Sequence, residues 1–296
     1  MVKIGLGLIG LQNWFGGDLM KALELIRIAE AKGLDMVSVT DHVVMGKHIE
    51  NYPYGPFPMP LEFPWYEPIA LLSAAAALTS RIRLTTGIII GPLRSAALLA
   101  KQIATLDTLS HGRFDLGIGV GWQKDEYIAS GLPFEGRFNT MIEQVQAMKA
   151  LWRDVPARFR GGKLNFEDIY CLPQPKSMHI MFGVAPSDLN IARIAEHGDG
   201  WIPMEQRPEK LAPIIEKLRA AFKARGRDPK TLEVRAVPKP VFKDDAPDFD
   251  ATAEAVPALL KAGATQLEYH PVMWCRGAPD FEGFVDRLVA LKKKHS

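Results

Sequence analysis

Asp41 and His42 are the adjacent pair whose residue types most directly offer chemistry. They follow a short apolar run, residues 36–40, that reads as a strand, so both fall where a strand gives way to a loop. An imidazole titrates near neutrality and can pass a proton in either direction, which makes His42 a candidate acid or base. The same pair also fits a metal ligand, or a histidine that only orders the loop behind it. No HxH or HExxH pattern accompanies it, so no metal is expected.

Other candidates share this kind of position. Gly87 closes the run at residues 82–86, where a missing Cβ permits either close approach of a ligand or an ordinary turn into a helix. Gly117, Gly119 and Gly121 alternate at the end of another run, a pattern that close backbone packing explains as well as phosphate binding does. Trp14, Trp65, Trp122 and Trp274 all fall at strand ends or in loops, with His270 nearby in sequence to the last. Core packing is the default for tryptophan, but four at one end of a fold would suit an apolar pocket holding a flat ring. Between residues 51 and 65, Tyr52, Tyr54, Phe57, Phe63 and Trp65 are interleaved with prolines. Such a segment orders at low entropic cost and forms either a wall of that pocket or a contact with a second subunit.

These residues need elements to hold them. Short apolar runs at residues 3–9, 36–40, 82–86, 114–118, 178–183, 200–203, 232–237 and 266–269 read as strands. Helical patterns alternate with them at residues 18–32, 68–79, 96–110, 138–153, 189–197, 208–225, 252–261 and 281–293. Eight strand–helix units in continuous alternation predict parallel strands joined by right-handed crossovers. The expected fold class is therefore α/β, a single (β/α)8 TIM barrel with long inserted loops, one domain over residues 1–296. An open doubly wound sheet is the alternative, disfavoured because no GxGxxG follows the first strand. In a barrel the active site lies at the C-terminal ends of the strands, which is where the candidates fall. The long loops at residues 41–67 and 154–177 could each lie over that face.

Composition narrows the class. With 36 basic and 34 acidic residues among 296, the net charge of +2 argues against a nucleic-acid partner. The basic run at residues 292–295 fits a helix end, where positive charge opposes the dipole. No apolar run reaches the roughly 18 residues that span a bilayer, and no leader pattern is expected. Cys171 and Cys275 lack CxxC spacing and suit a reducing, cytoplasmic setting. The strand ends are poor in the paired carboxylates of a glycosidase.

Three segments resemble the luciferase-like family of flavin and coenzyme F420 oxidoreductases. They are Ser38-Val39-Thr40-Asp41-His42, the stretch from Ser80 to Gly131 with its Leu-Thr-Thr-Gly and Gly-Val-Gly-Trp motifs, and Gly198-Asp199-Gly200-Trp201-Ile202-Pro203. The resemblance implies F420 or FMN lying on the strand ends. The block from Leu84 to Trp122 and the Glu62–Trp65 stretch look closer to the F420 branch. It implies that Thr40, Asp41 and His42 sit beside the ring, with His42 exchanging a proton and Asp41 orienting it. Thr86, Gly87 and Ile88 match the segment that carries a non-prolyl cis peptide behind the ring. Gly121 and Trp122 match its border. Gly183, Val184, Ala185 and Ser187 match the approach to the phosphate, although the family often has a glycine pair where this chain has Val184-Ala185. Trp14, Trp65, His270 and Trp274 are the expected substrate pocket. A small, mostly apolar substrate, a homodimer and, for FMN, oxygen insertion with a separate reductase complete the implied picture. A flavin-binding barrel without catalysis is the alternative from another class.

Overall fold

The structure is a computed structural model and describes residues 2–176 and 178–295. Ser177, the last residue of the second expected long loop, lies outside the described residues. The eight barrel strands are β1 (Lys3–Gly7), β2 (Met36–Val39), β3 (Arg83–Thr86), β4 (Phe114–Gly119), β5 (His179–Gly183), β6 (Gly200–Trp201), β7 (Glu233–Ala236) and β8 (Gln266–Tyr269). All pair in parallel, each with its sequence neighbour. Pairing of β1 with β8 closes the ring, Lys3 facing Gln266 and Leu6 facing Tyr269. The expected closed barrel is what forms.

The crossovers are helical for reasons visible in sequence. Helix α1 (Leu19–Lys32) begins where the Asp18 carboxylate accepts the Lys21 N–H, and ends at Gly33, whose φ of 99° only glycine adopts easily. Helices α2 (Pro68–Leu78) and α3 (Ala96–Leu109) are capped by the side chains of Glu67 and Ser95. A short helix, α4 (Lys124–Ala129), precedes α5 (Arg137–Arg153). Then come α6 (Asp188–His197) and α7 (Pro208–Ala224). The single helix expected at residues 252–261 is instead two, α8 (Phe249–Ala253) and α9 (Val256–Ala262), the second starting with Pro257 in its first turn, where a missing N–H costs nothing. Helix α10 (Ala278–Lys294) closes the chain. Among the described residues no helix is long and apolar enough to cross a membrane.

Apolar side chains fill the layer between strands and helices, with Ile4, Leu84, Leu116, Val234 and Leu267 fully buried. The lumen is different. On β7 and β8, Glu233, Arg235, Gln266 and Glu268 alternate with Val234, Ala236, Leu267 and Tyr269. Arg235 is 1% exposed and crosses the barrel to give Thr85 Oγ1 a hydrogen bond of 2.7 Å, while Nε reaches Gln266 Oε1 at 3.0 Å. Glu268 Oε2 lies 3.5 Å from its guanidinium. Below it, Arg83 pairs with Asp115 and His179 Nε2 lies 3.4 Å from Glu233. The barrel is stacked with charge-paired groups where these folds more often carry branched apolar residues.

The second expected long loop is tied to helices α5 and α3. Residues 154–177 include an antiparallel hairpin, Ala157–Arg160 with Asn165–Ile169, whose tip is held by Glu143 on α5: its carboxylate accepts the Lys163 and Leu164 N–H groups at 2.6 and 2.8 Å. The rest of the segment is tied to α3, where Lys101 donates to Leu172 O and Asp107 accepts the Lys176 N–H at 2.9 Å.

Candidate active site

His42 is 7% exposed, at the end of β2. Its Nδ1 lies 3.3 Å from Glu126 Oε2, and Glu126 is fully buried. The other oxygen of that carboxylate accepts the Val43 N–H at 2.6 Å. The short helix α4 exists to place Glu126: the Tyr127 hydroxyl donates to Val120 O at 2.6 Å, tying the helix to the end of β4. Burial holds the Tyr127 phenol above its ordinary pKa, so it remains a donor. Gln123 adds a second tie, accepting the Gly46 N–H at 2.7 Å and donating to Gly46 O at 2.9 Å. A carboxylate at Nδ1 selects that nitrogen as the ring's donor side and leaves Nε2 for chemistry.

Asp41 does not orient His42, as the sequence reading expected. Its Oδ2 accepts from Ile90 N at 2.8 Å and from Arg94 Nη1 at 2.6 Å, and its Oδ1 from Arg94 Nη2 at 3.0 Å. Both oxygens are thus spent on a bidentate pair, the geometry in which arginine binds carboxylate best. Arg94 also reaches Glu67 at 3.0 Å. Burial disfavours its charge, but Asp41 and Glu67 outweigh that and hold its pKa above the usual arginine value. Orientation of His42 falls to Glu126, which lies within the Ser80–Gly131 stretch that carried the resemblance but was given no role there.

The expected cis peptide is present between Gly87 and Ile88, just beyond β3. Thr86 Oγ1 locks this strand to β4, donating to Gly117 O at 2.7 Å and accepting the Gly117 N–H at 2.9 Å. Thr40 Oγ1 lies 3.4 Å from Gly87 O. The Ile88 side chain rests on Gly119 and Gly183, and a Cβ on the latter would stand 2.5 Å from Ile88 Cγ2. Gly121 has φ 63° and backs onto Ile90. Glycine at these strand ends is therefore required by the close approach of Ile88 and by the turn at Gly121.

Beyond β5 the chain runs through Val184, buried, to Ala185 and Ser187, both exposed. Ser187 caps α6 by accepting the Asn190 N–H, and first-turn N–H groups there lack helical partners. Asn190 donates to Ala185 O at 2.9 Å, and Arg193 Nη1 to Asn190 Oδ1 at 3.1 Å. A half-buried arginine thus accompanies this helix start, although the glycine pair is absent.

The four tryptophans separate. Trp65 and Trp122 gather at His42, with ring centroids 4.6 and 6.2 Å from the imidazole, and Tyr52 and Phe57 pack on Trp122. The loop at residues 51–65 thus lies on His42. Trp14 and Trp274 do not join them: Trp14 meets Phe281 at 6.4 Å and Trp274 stacks on Phe284 at 6.2 Å, both on α10. Phe281 lies at the opposite end of the chain from Trp14, which no local pattern could show, whereas Phe284 follows Trp274 by only about one helix length. His270 lies over Gly7, its Nε2 3.5 Å from Glu268 Oε1. A narrow cleft opens between the ends of β1 and β2 and the aromatic loop, lined by Gln12, Thr40, Phe63, Trp65 and Tyr66 among others.

The sequence profile of luciferase-like monooxygenases matches residues 10–284. An uncharacterised protein of Mycobacterium tuberculosis (strain ATCC 25618 / H37Rv) is 36% identical over 227 residues, covering 76% of this chain and 75% of that one. An F420-dependent glucose-6-phosphate dehydrogenase of Kineococcus radiotolerans is 31% identical over 265 residues, covering 85% and 73%. The structure of an F420-dependent secondary alcohol dehydrogenase superposes with a TM-score of 0.75 at 19% identity, covering 98% of each chain, which shows the shared fold. With its closed barrel, its Asp-His strand end and a profile match over most of its length, the chain belongs to the luciferase-like monooxygenase family.

Proposed function

We propose that this protein transfers a hydride between a bound F420 or FMN ring and a small, mostly apolar organic molecule, while His42 exchanges the accompanying proton. Members of the family use one of these two cofactors. The observation that carries the reading is His42: buried, held at Nδ1 by Glu126, and set among aromatic rings at a barrel strand end. The residues fit such a cofactor. Ile88, Gly121 and Trp122 would border the ring. Ser187 and the start of α6 would meet a phosphate with Arg193 alongside. Thr40 and Gly87 would lie against it near His42.

When bound, the ring supplies the redox chemistry. The chain's own contribution is to orient and to exclude water. Trp65, Phe57 and Trp122 shield His42, and Glu126 keeps its ring in one orientation. F420 is favoured over FMN by the likeness of residues 84–122 and 62–65 to the F420 branch and by the F420-dependent relative at 31% identity. The second reading is a monooxygenase that takes reduced FMN from a separate reductase, favoured by the family profile itself.

Titration of the apoprotein with F420 and with FMN, read by fluorescence, tests the proposal. Micromolar binding of one is expected, and failure to bind either removes it.

A further inference from the structure

Arg235 is enclosed in the barrel lumen at 1% exposure, on β7, and the proposed proton transfer at His42 makes no use of it. Burial works against its charge and pulls its pKa below the ordinary arginine value. The guanidinium still keeps its proton, as arginine does in proteins. An apolar side chain of similar length would fill this layer without desolvating a cation, and barrel lumens are more often filled that way.

The contacts of Arg235 show where its charge is directed. Nε donates to Gln266 Oε1 at 3.0 Å, Nη2 to Thr85 Oγ1 at 2.7 Å and Nη1 to Thr86 O at 3.3 Å. All three acceptors are neutral. The last is the carbonyl that ends β3, immediately before Gly87. A Cβ built on Gly87 would stand 3.6 Å from Nη1, in ordinary contact. The guanidinium therefore lies against the lumenal side of the Thr86–Gly87 corner, on which the ring is proposed to rest. Its charge partner, Glu268 on β8, lies 3.5 Å from the same Nη1. The three atoms nearest to a Cβ on Gly87 belong to Arg235 and Ser38, so the cation stands closer to that corner than the carboxylate does. The other lumenal acids, Asp115 and Glu233, are taken up by Arg83 and Lys3.

Hydride uptake, two electrons with one proton, adds one negative charge where the ring lies. A fixed cation behind that place favours the added charge, and a fixed anion opposes it, most strongly where water does not screen them. We infer that Arg235 is a positioning residue that sets the redox poise of the bound cofactor: its guanidinium, held behind Gly87, favours the reduced ring, and Glu268 tempers that preference. The inference rests on the proposed oxidoreductase reading and adds to it an ion pair that touches neither substrate nor cofactor.

The test compares the parent protein with Arg235→Met, which keeps the length of the side chain, and Glu268→Gln, which keeps its shape. Each is titrated without oxygen with the oxidised and the reduced forms of F420 and of FMN, and the ratio of the two affinities is read for the cofactor that binds. Arg235→Met should lower the preference for the reduced form by about three- to tenfold, and Glu268→Gln should raise it by a similar factor. Tenfold corresponds to about 30 mV in the midpoint potential of a two-electron couple, which equilibration with a redox dye checks independently. The double variant should fall between the two single ones. Loss of a purely structural strut would weaken both forms alike and move the two variants in the same direction. A ratio unchanged in either variant, or shifts of one sign in both, would overturn the inference. Should Arg235→Met not fold, the rise expected in Glu268→Gln decides alone. A parent protein that binds neither cofactor removes the oxidoreductase reading and the inference with it, whereas binding with unshifted ratios removes the inference only.

Discussion

His42 Nδ1 and Glu126 Oε2 stand 3.3 Å apart in a buried pair, which engages one ring nitrogen and leaves the other for a reacting proton. His42→Ala should lower turnover by about 10²–10⁴-fold if the ring passes the proton. Cofactor affinity, measured separately by fluorescence, should change far less. A loss of only a few-fold would leave His42 as a packing residue. Glu126→Gln, which keeps the shape, should fall between the variant and the parent protein.

Asp41→Ala should act mainly on stability. It strips a partner from Arg94, whose side chain is 9% exposed, and breaking a buried ion pair on one side costs about 3–5 kcal/mol. Because Glu67 remains as a partially exposed partner, the lower end is expected, read as a shift of the urea midpoint at unchanged slope. A large drop in turnover with unaltered unfolding would instead return Asp41 to a role at the imidazole.

Gly183→Ala puts a methyl 2.5 Å from Ile88 Cγ2 and should cost about 1–3 kcal/mol by overpacking. Cofactor affinity should fall with it, because the same contact sets the surface expected to border the ring. Combining it with Ile88→Ala should cost less than the two single changes added together, the sign of a shared contact. Simple additivity in thermal unfolding would show that Ile88 moves aside freely.

Glu30 supplies a pH-dependent contribution far from the mouth. Burial pushes its pKa up, but the Ile82, Arg81 and Ser80 N–H groups outweigh burial and hold it below the ordinary value of 4.5. A carboxyl depressed in the folded state stabilises above the unfolded-state value, and that stability is lost as the pH falls through the folded value. Glu30→Gln should therefore lower the urea midpoint at pH 7, and the gap from the parent protein should shrink by pH 3. A gap that stays constant across this range would show that the charge contributes nothing.

The barrel and the ends of its strands were legible because period-2 and period-3.6 patterns are local. All eight strand ends fall within about two residues of the expected ones, and the cis peptide fell at Gly87–Ile88 as the family resemblance implied. What escaped depended on closure. Arg235 and Glu268 alternate with apolar neighbours, yet only a closed ring decides that they meet Thr85 inside it. Glu126 lies on a six-residue helix too short to show a period, and its place depends on the Tyr127 hydroxyl reaching Val120. Trp14 stands apart from Trp65 and Trp122 because it meets Phe281, which the last helix brings from the other end of the chain.

Arg94 has one further consequence. It holds Asp41 at the start of the aromatic loop and Glu67, the cap of α2, at its end, so a single guanidinium fastens both ends of residues 41–67. Between these fixed points the segment behaves as an exchangeable cassette. Its closure entropy rises slowly with length, about 0.6 kcal/mol for each doubling, so a longer or shorter version would perturb the barrel little. Relatives with other appetites could thus arise by rewriting this stretch alone, while the clasp and the His42–Glu126 pair stay unchanged.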